Sequence, residues 1–367
     1  MPPPEAEVID PRARTMQLHE ILRRAHEHDA SDIHLVPGHP PMMRVHTVMV
    51  PMDEFSVLTS DGVRRTIDQI TTPTQQQAFE RDLDLDFSYE VPGLRRYRIN
   101  AHVQRSGAAM ALRSIRTEVP PMESLGLPEV IDSLVDLPRG LVLVTGDTGS
   151  GKSTTLAAML DAMNRRHRKH IITLEDPVEY VFTSDLCLIQ QRELGADMPT
   201  FSSGMRHALR QDPDVILVGE MRDLETAALA ISAAETGHLV LSTLHTSSAA
   251  QTVERIIDMY PAGQQAQIRA MLANTLEAVV SQTLFSRADR PGMVPAVEVL
   301  LCTPAVRNLI RENRAFEIPN VIETSRNRGM NSLDSAISEL YFNGLVARED
   351  ALEKATHRDK LERQLAA

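Results

Sequence analysis

Leu18, Ile21, Leu22 and Ala25 recur at three- and four-residue spacing, which predicts an amphipathic helix near the start of the chain. Residues 1–15 ahead of it, with three prolines in the first four positions, read as a flexible leader. Residues 33–36 form a short apolar strand pattern closed by Pro37-Gly38, and residues 43–50 a second strand. A polar helix is expected over 61–81. From 86 to 115 apolar and polar positions alternate in three runs separated by Pro92-Gly93 and Ser106-Gly107, the pattern of a strand meander. Together these elements make a small α+β domain over 16–115.

Residues 116–128 contain Pro120, Pro121, Gly126 and Pro128 and read as a stiff linker. Beyond it the pattern changes. Continuous apolar runs at 141–144, 171–174, 215–218 and 239–244 alternate with longer helical stretches, which predicts an α/β domain over 129–367 built on a parallel sheet. From about 303 the spacing of Leu309, Ile310, Leu333, Ile337 and Leu340 turns helical to the end.

The chain has 367 residues, 42 % of them apolar, enough for two or three domains. Aromatic residues make up only 4 % and Trp is absent, so aliphatic side chains and Met carry the packing. The net charge of −12 disfavours a protein that works mainly by gripping nucleic acid. The two cysteines, Cys187 and Cys302, stand too far apart to build a zinc site and are expected as buried small residues in a reducing compartment. Neither a signal peptide nor an apolar run near 18 residues is present, so a cytoplasmic protein without membrane insertion is expected.

The apolar run 141–144 leads directly into Gly146, Asp147, Thr148, Gly149, Ser150, Gly151, Lys152, Ser153 and Thr154. The spacing fits G-x-x-x-x-G-K-[ST], with a strand before it and a helix from Ser153 after it. Glycines let the backbone close around an anion, and successive N–H groups and the helix N-terminus point at phosphates. Lys152 supplies a cation at the β- and γ-phosphates, and the Ser153 hydroxyl suits Mg²⁺. ATP and Mg²⁺ are therefore the expected ligands.

In an open α/β sheet, ligands sit at the carboxyl ends of the strands. The run 171–174 ends in Glu175 and Asp176, and 215–218 is followed by Gly219-Glu220. Glu220 is the candidate for orienting the attacking water and for the metal shell, and Glu175 for a second active-site carboxylate. Asp176 is expected as a cap before Pro177. His238 and His245 flank the run 239–244. As one strand, seven steps of about 3.3 Å separate them by roughly 23 Å, too far for one metal. His245, at the carboxyl end, is the candidate γ-phosphate sensor; for either residue the alternative is a structural histidine bonded to backbone.

Four stretches now stand in order: VTGDTGSGKST at 144–154, TLEDPVEY at 173–180, RQDPDVILVGEMRD at 210–223 and TGHLVLSTLHT at 236–246. They resemble the Walker A, Asp, Walker B and His boxes of the secretion ATPases of type II secretion and type IV pili. The nearest resemblance is to the twitching-motility retraction ATPases, and it spans about 30 to 355. It implies a RecA-like P-loop ATPase domain, a PAS-like small domain and a homo-hexameric ring. It implies a motor at the inner face of the inner membrane that acts on a pilus platform protein, with a second retraction ATPase as a further partner. It implies that arginines of the small domain reach the phosphates; Arg98 and Arg113 match, with Arg105 and Arg116 nearby. Two features favour retraction over secretion or assembly. Assembly relatives usually carry a four-cysteine insertion, and AVRNLIRE at 305–312 resembles a retraction-type motif. There Thr303-Pro304 starts a helix that leaves Arg307, Asn308 and Arg311 free for a partner. The alternatives are a type II secretion or pilus-assembly ATPase and an accessory, non-autonomous retraction subunit. Asp147 stands where the family commonly has Pro, and Arg105 lies one place early.

Overall fold

The computed structural model describes residues 11–45, 48–115 and 118–365, the side chains of 11–16 excepted. The chain divides into two compact units, Met1–Thr117 and Glu118–Ala367.

The first unit opens with α1 (Pro11–Glu27). The leader expected over 1–15 is therefore helical from Pro11, because proline at the first helical position loses no intrahelical hydrogen bond; residues 1–10 lie outside the described residues. β1 (Asp32–Leu35), β2 (Met42–Val45) and β3 (Val48–Pro51) follow. The single strand expected over 43–50 is thus an antiparallel pair in which Val45 faces Val48. The helix expected over 61–81 is likewise two, α2 (Ser60–Ile70) and α3 (Pro73–Asp82). Pro73 cannot continue a preceding helix, and Thr72 caps the new one in a reciprocal pair with Gln75. β4 (Asp84–Glu90), β5 (Arg96–Gln104) and β6 (Gly107–Ser114) form the expected meander.

Among the described residues of this unit the six strands form one antiparallel sheet in the order β3-β2-β1-β6-β5-β4. Alternation assigns its faces. Ile33, Tyr97, Ile99, Met110 and Leu112 join Leu18, Leu22, Ile67 and Phe79 of the helices in one core. The opposite face is polar: register lines up Arg44, Asp32, Arg113, Arg98 and Ser88 across five strands.

The second unit begins with a short 3₁₀ turn, Met122–Leu125, and α4 (Val130–Leu134). Residues 118–128, expected as a linker, pack into this unit. Met122 is buried there, with Val119, Leu125 and Leu127 against the same core, because the apolar residues between the prolines find a cover on α5 (Lys152–Arg166). The other elements are β7 (Gly140–Thr145), β8 (His170–Glu175), β9 (Leu188–Glu193), α6 (Phe201–Ala208), β10 (Val215–Val218) and α7 (Leu224–Glu235). After them come β11 (Leu239–Leu244), α8 (Ala249–Asp258), α9 (Gln265–Thr275), β12 (Leu276–Ser286) and β13 (Met293–Leu301). The end is helical, with α10 (Pro304–Arg311), α11 (Ile318–Thr324), α12 (Leu333–Phe342), α13 (Arg348–Glu353) and α14 (Arg358–Leu365).

The sheet order is β13-β12-β7-β11-β10-β8-β9, parallel except for β13. Its central strands β7, β11, β10 and β8 are apolar on both sides because each side meets a different core. Leu141 and Leu143 of β7 point into one cluster with α6 to α9, whereas Val142 and Val144 point into another with α4 and α5. β8, β10 and β11 divide their side chains in the same way. A third cluster joins Phe285, Val294 and Ala296 to α12, α13 and α14. Among the described residues no helix is long and apolar enough to cross a membrane.

Leu143 is fully buried at the centre of this sheet. Leu143→Ala should destabilise the protein by about 2–5 kcal/mol, read as a lower urea midpoint, because the flanking strands cannot collapse into the space left.

Candidate active site

β7 ends at Thr145, residues 146–151 turn, and α5 starts at Lys152. Gly146, Gly149 and Gly151 all have positive φ (138°, 81° and 91°). At Gly146 a Cβ would also collide with the Gln282 carbonyl oxygen and Ser150 Oγ, so the turn is closed to any larger residue. Side chains beneath pin the loop. Thr145 Oγ1 and Ser281 Oγ are 2.8 Å apart, Gln282 Nε2 donates to Thr155 Oγ1 at 2.9 Å, and Thr154 Oγ1 meets the Tyr180 hydroxyl at 3.0 Å.

Lys152 is only 8 % exposed. Its Nζ donates to the carbonyls of Gly146 (2.7 Å) and Asp147 (2.9 Å), which aims the ammonium back over the loop. Burial pulls its pKa below the ordinary lysine value, and the charges of Glu220, Asp147 and Glu179 oppose that fall. Ser150 Oγ is buried without a hydrogen-bond partner. Ser153 and Thr154 are half-buried in the first turn of α5, and Asp147, Thr148 and Gly149 are exposed at the loop's tip. A glycine turn that excludes a Cβ at Gly146, a buried ammonium and an unpaired hydroxyl fit a polyphosphate.

Glu220 follows β10, and its carboxylate lies between a guanidinium and an imidazole. Arg222 Nε is 2.8 Å from Oε2, and His245 Nε2 is 3.3 Å from Oε1. β10 and β11 run parallel with Val218 beside Ser242, so both strands deliver their following residues to the same end of the sheet. Thr243 Oγ1 donates to the Gly219 carbonyl at 2.6 Å and the Met221 amide to the Thr243 carbonyl at 3.2 Å, which locks the two turns together. His238, at the opposite end of β11, donates from Nδ1 to the Ala233 carbonyl at 3.0 Å and is the backbone-bonded histidine.

Glu175 ends β8 and is 8 % exposed. Its carboxylate accepts from Thr173 Oγ1 (2.6 Å), Gln191 Nε2 (3.1 Å) and the Glu179 amide (3.4 Å). Burial pushes its pKa up, and these hydrogen bonds act in the opposite direction. No helix follows Asp176, so it caps nothing; the chain turns into an irregular loop there. Three residues at this site went unpredicted: Arg222, Tyr180 and Gln191. Arg222 stands two places from Glu220, which was a usable signal; the other two act from a loop and an edge strand.

Arg98 and Arg113 are paired directly across β5 and β6, both exposed, and Arg113 Nε lies 2.9 Å from Asp32 Oδ1. Arg105 is exposed on the following hairpin turn, and Arg116 lies outside the described residues. Arg307, expected to be free on α10, is engaged. It donates to the carbonyls of Ala273 (2.8 Å) and Asn274 (2.9 Å) and to both oxygens of Glu277 (2.9 Å each). The end of α9 leaves carbonyls unpaired, and a planar guanidinium on the neighbouring helix satisfies them. Arg311 donates to Asn274 Oδ1 and Asn308 to Glu312. Both cysteines are buried and free. Among the described residues no cluster of three or more His, Cys, Asp or Glu could hold a metal, so a Mg²⁺ ion here would need phosphate oxygens and water among its ligands.

A glycine turn leading from a doubly buried parallel strand into a helix, facing a strand-end acid across the sheet, defines a P-loop nucleotide hydrolase. The chain belongs to the type II/IV secretion system protein family, whose model matches residues 10–299, and it is an ATPase. It is 48 % identical to the type IV pilus retraction ATPase PilT of Pseudomonas aeruginosa over 340 residues, 93 % of this chain and 98 % of that one. It is 38 % identical to the type IV pilus ATPase PilU of the same organism, over 93 % of this chain and 89 % of PilU. A crystal structure of the pilus retraction motor PilT with bound ADP superposes with a TM-score of 0.88 at 42 % identity, over 94 % of this chain and 98 % of that one.

The pKa of Glu175 yields a test of its environment. A carboxyl raised above its unfolded value of 4.5 contributes stability that is complete below that value and lost as pH rises through the folded one. Glu175→Gln removes that loss. Its stability relative to the parent protein should therefore increase as pH rises above 4.5, measured as urea midpoints.

Proposed function

We propose that this protein is a homo-hexameric ring motor that couples Mg²⁺-dependent ATP hydrolysis to retraction of type IV pili, and so drives twitching motility. The observation that carries the reading is the 48 % identity with PilT along nearly the full length of both chains, together with an intact phosphate loop and strand-end acid.

The roles follow from the chemistry of each side chain. The backbone N–H groups of residues 146–151 and the N-terminus of α5 receive the phosphates, and Lys152 Nζ turns from the loop carbonyls to the β- and γ-phosphates. Ser153 and Glu220 are the groups that would hold Mg²⁺, which neutralises charge on the transferring phosphoryl group. Glu220 orients the attacking water; His245 and Arg222 fix its carboxylate, and His245 responds to the γ-phosphate through that contact. Glu175 is the second carboxylate. Arg98 and Arg113 reach the nucleotide of a neighbouring subunit, where an arginine finger is worth about 10³–10⁵ in rate.

Two finer assignments of fold belong to this reading. The order β12-β7-β11-β10-β8 with the phosphate loop after the second of these strands supports a RecA-like core, and the 3-2-1-6-5-4 order of the antiparallel sheet supports a PAS-like first unit. The motor works at the inner face of the inner membrane on a platform protein. The 38 % identity with PilU supports a second retraction ATPase as co-worker.

Steady-state ATPase assays with mass determined by light scattering test the proposal. Mg²⁺-dependent turnover by a hexamer is expected, falling by about 10²–10³ in Glu220→Gln, with ATP binding retained. A hexamer that binds ATP and never turns it over would replace the motor with an accessory subunit. In a strain lacking its own retraction motor, the parent protein should restore twitching and Lys152→Ala should not; restoration by Lys152→Ala would overturn the proposal.

A further inference from the structure

The loop that follows Glu175 is held from the side by strand β9. Over residues 176–182 the chain is irregular, and several of its polar groups are satisfied by side chains. The Val178 amide donates to Glu193 Oε2 at 3.1 Å. The Phe182 amide donates to Gln191 Oε1 at 2.9 Å, and Gln191 Nε2 donates to the Tyr180 carbonyl at 2.8 Å. The same Gln191 Nε2 donates to Glu175 Oε1 at 3.1 Å. One amide thus spans the carboxylate and two points of the loop. The loop in turn reaches the phosphate-binding turn, because the Tyr180 hydroxyl lies 3.0 Å from Thr154 Oγ1.

Only an amide can do this. It carries two donors and an acceptor at one planar end. A carboxylate in its place would still accept from Phe182 but would lose both donors and set a second negative group against Glu175. A leucine of similar length would leave the Tyr180 carbonyl and the Phe182 amide without that partner. The Glu175 carboxylate is buried, so its position depends on its few remaining donors, which also oppose the rise in pKa that burial causes.

We propose that Gln191 is a positioning residue for ATP hydrolysis: it fixes the Glu175 carboxylate relative to the loop that Tyr180 joins to the phosphate-binding turn. The proposal rests on the assignment of Glu175 as an active-site carboxylate. Gln191 acts through Glu175, so removing both groups costs no more than removing Glu175 alone. A side chain that merely braces the sheet edge would add its own, independent loss.

The experiment is a double-mutant cycle on the full chain, with kcat, KM for ATP and thermal midpoint measured for Glu175→Gln, Gln191→Leu, Gln191→Glu and Glu175→Gln/Gln191→Leu. Gln191→Leu should lower kcat by about 10- to 100-fold, the effect of a displaced reacting group, with KM changed by less than about threefold. Gln191→Glu should lose at least as much. In the Glu175→Gln background Gln191→Leu should cause no further loss. Multiplicative losses in the double variant, or parent-like kcat in Gln191→Glu, would overturn the positioning role while leaving Glu175 in place. Parent-like kcat in Glu175→Gln would overturn the assignment of Glu175 and this proposal with it. Thermal midpoints close to the parent's in Gln191→Leu separate a displaced carboxylate from a misfolded chain.

Discussion

Everything at the nucleotide end of this molecule depends on β7 being buried on both faces. Leu141 and Leu143 anchor it in one core, Val142 and Val144 in the other. A strand held on two sides cannot slip by one residue without exchanging its whole side-chain set between cores. The turn that follows therefore leaves the sheet from a fixed point. Gly146, closed against the Gln282 carbonyl of the adjacent strand β12, converts that fixed point into a fixed curvature.

Register then decides which acids meet the loop. β10 and β11 are bonded in parallel, and two threonine-to-turn hydrogen bonds couple their ends, so Glu220 and His245 converge although 25 positions apart in sequence. The two carboxylates at this end live in different electrostatic surroundings. Glu220 is partly buried between a guanidinium and an imidazole, and Glu175 is buried among neutral donors. Opposed environments of this kind let neighbouring acids divide their duties. Lys152 adds a third: an ammonium weakened by burial, whose nearby acids help to keep it charged.

Arg307 shows how a helix surface is misjudged when it is read alone. On α10 it stands beside the packed residues Val306 and Ile310 without belonging to their apolar set, and the helix read alone leaves it without a partner. The neighbouring helix end supplies two carbonyls and Glu277 a bidentate acceptor, and the guanidinium belongs to them. That cluster ties α10 to the segment entering β12, the strand whose Gln282 closes the phosphate loop.

What the sequence determined by itself was local. The glycine spacing, the lysine at the start of α5, the apolar runs and the acids at their ends are properties of contiguous residues, and so were the meander, the parallel core and the helical end. Short-range physics also explains the misplaced boundaries: Pro11 starts a helix that composition had marked as leader, and Pro73 divides another. The facing of Arg98 and Arg113, the capture of Arg307 and the three-way bond of Gln191 were decided by tertiary structure alone. Each depends on register or packing between segments distant in the chain, and a side chain's hydrogen-bond partner is set by where the fold brings another backbone, not by its own neighbours in sequence.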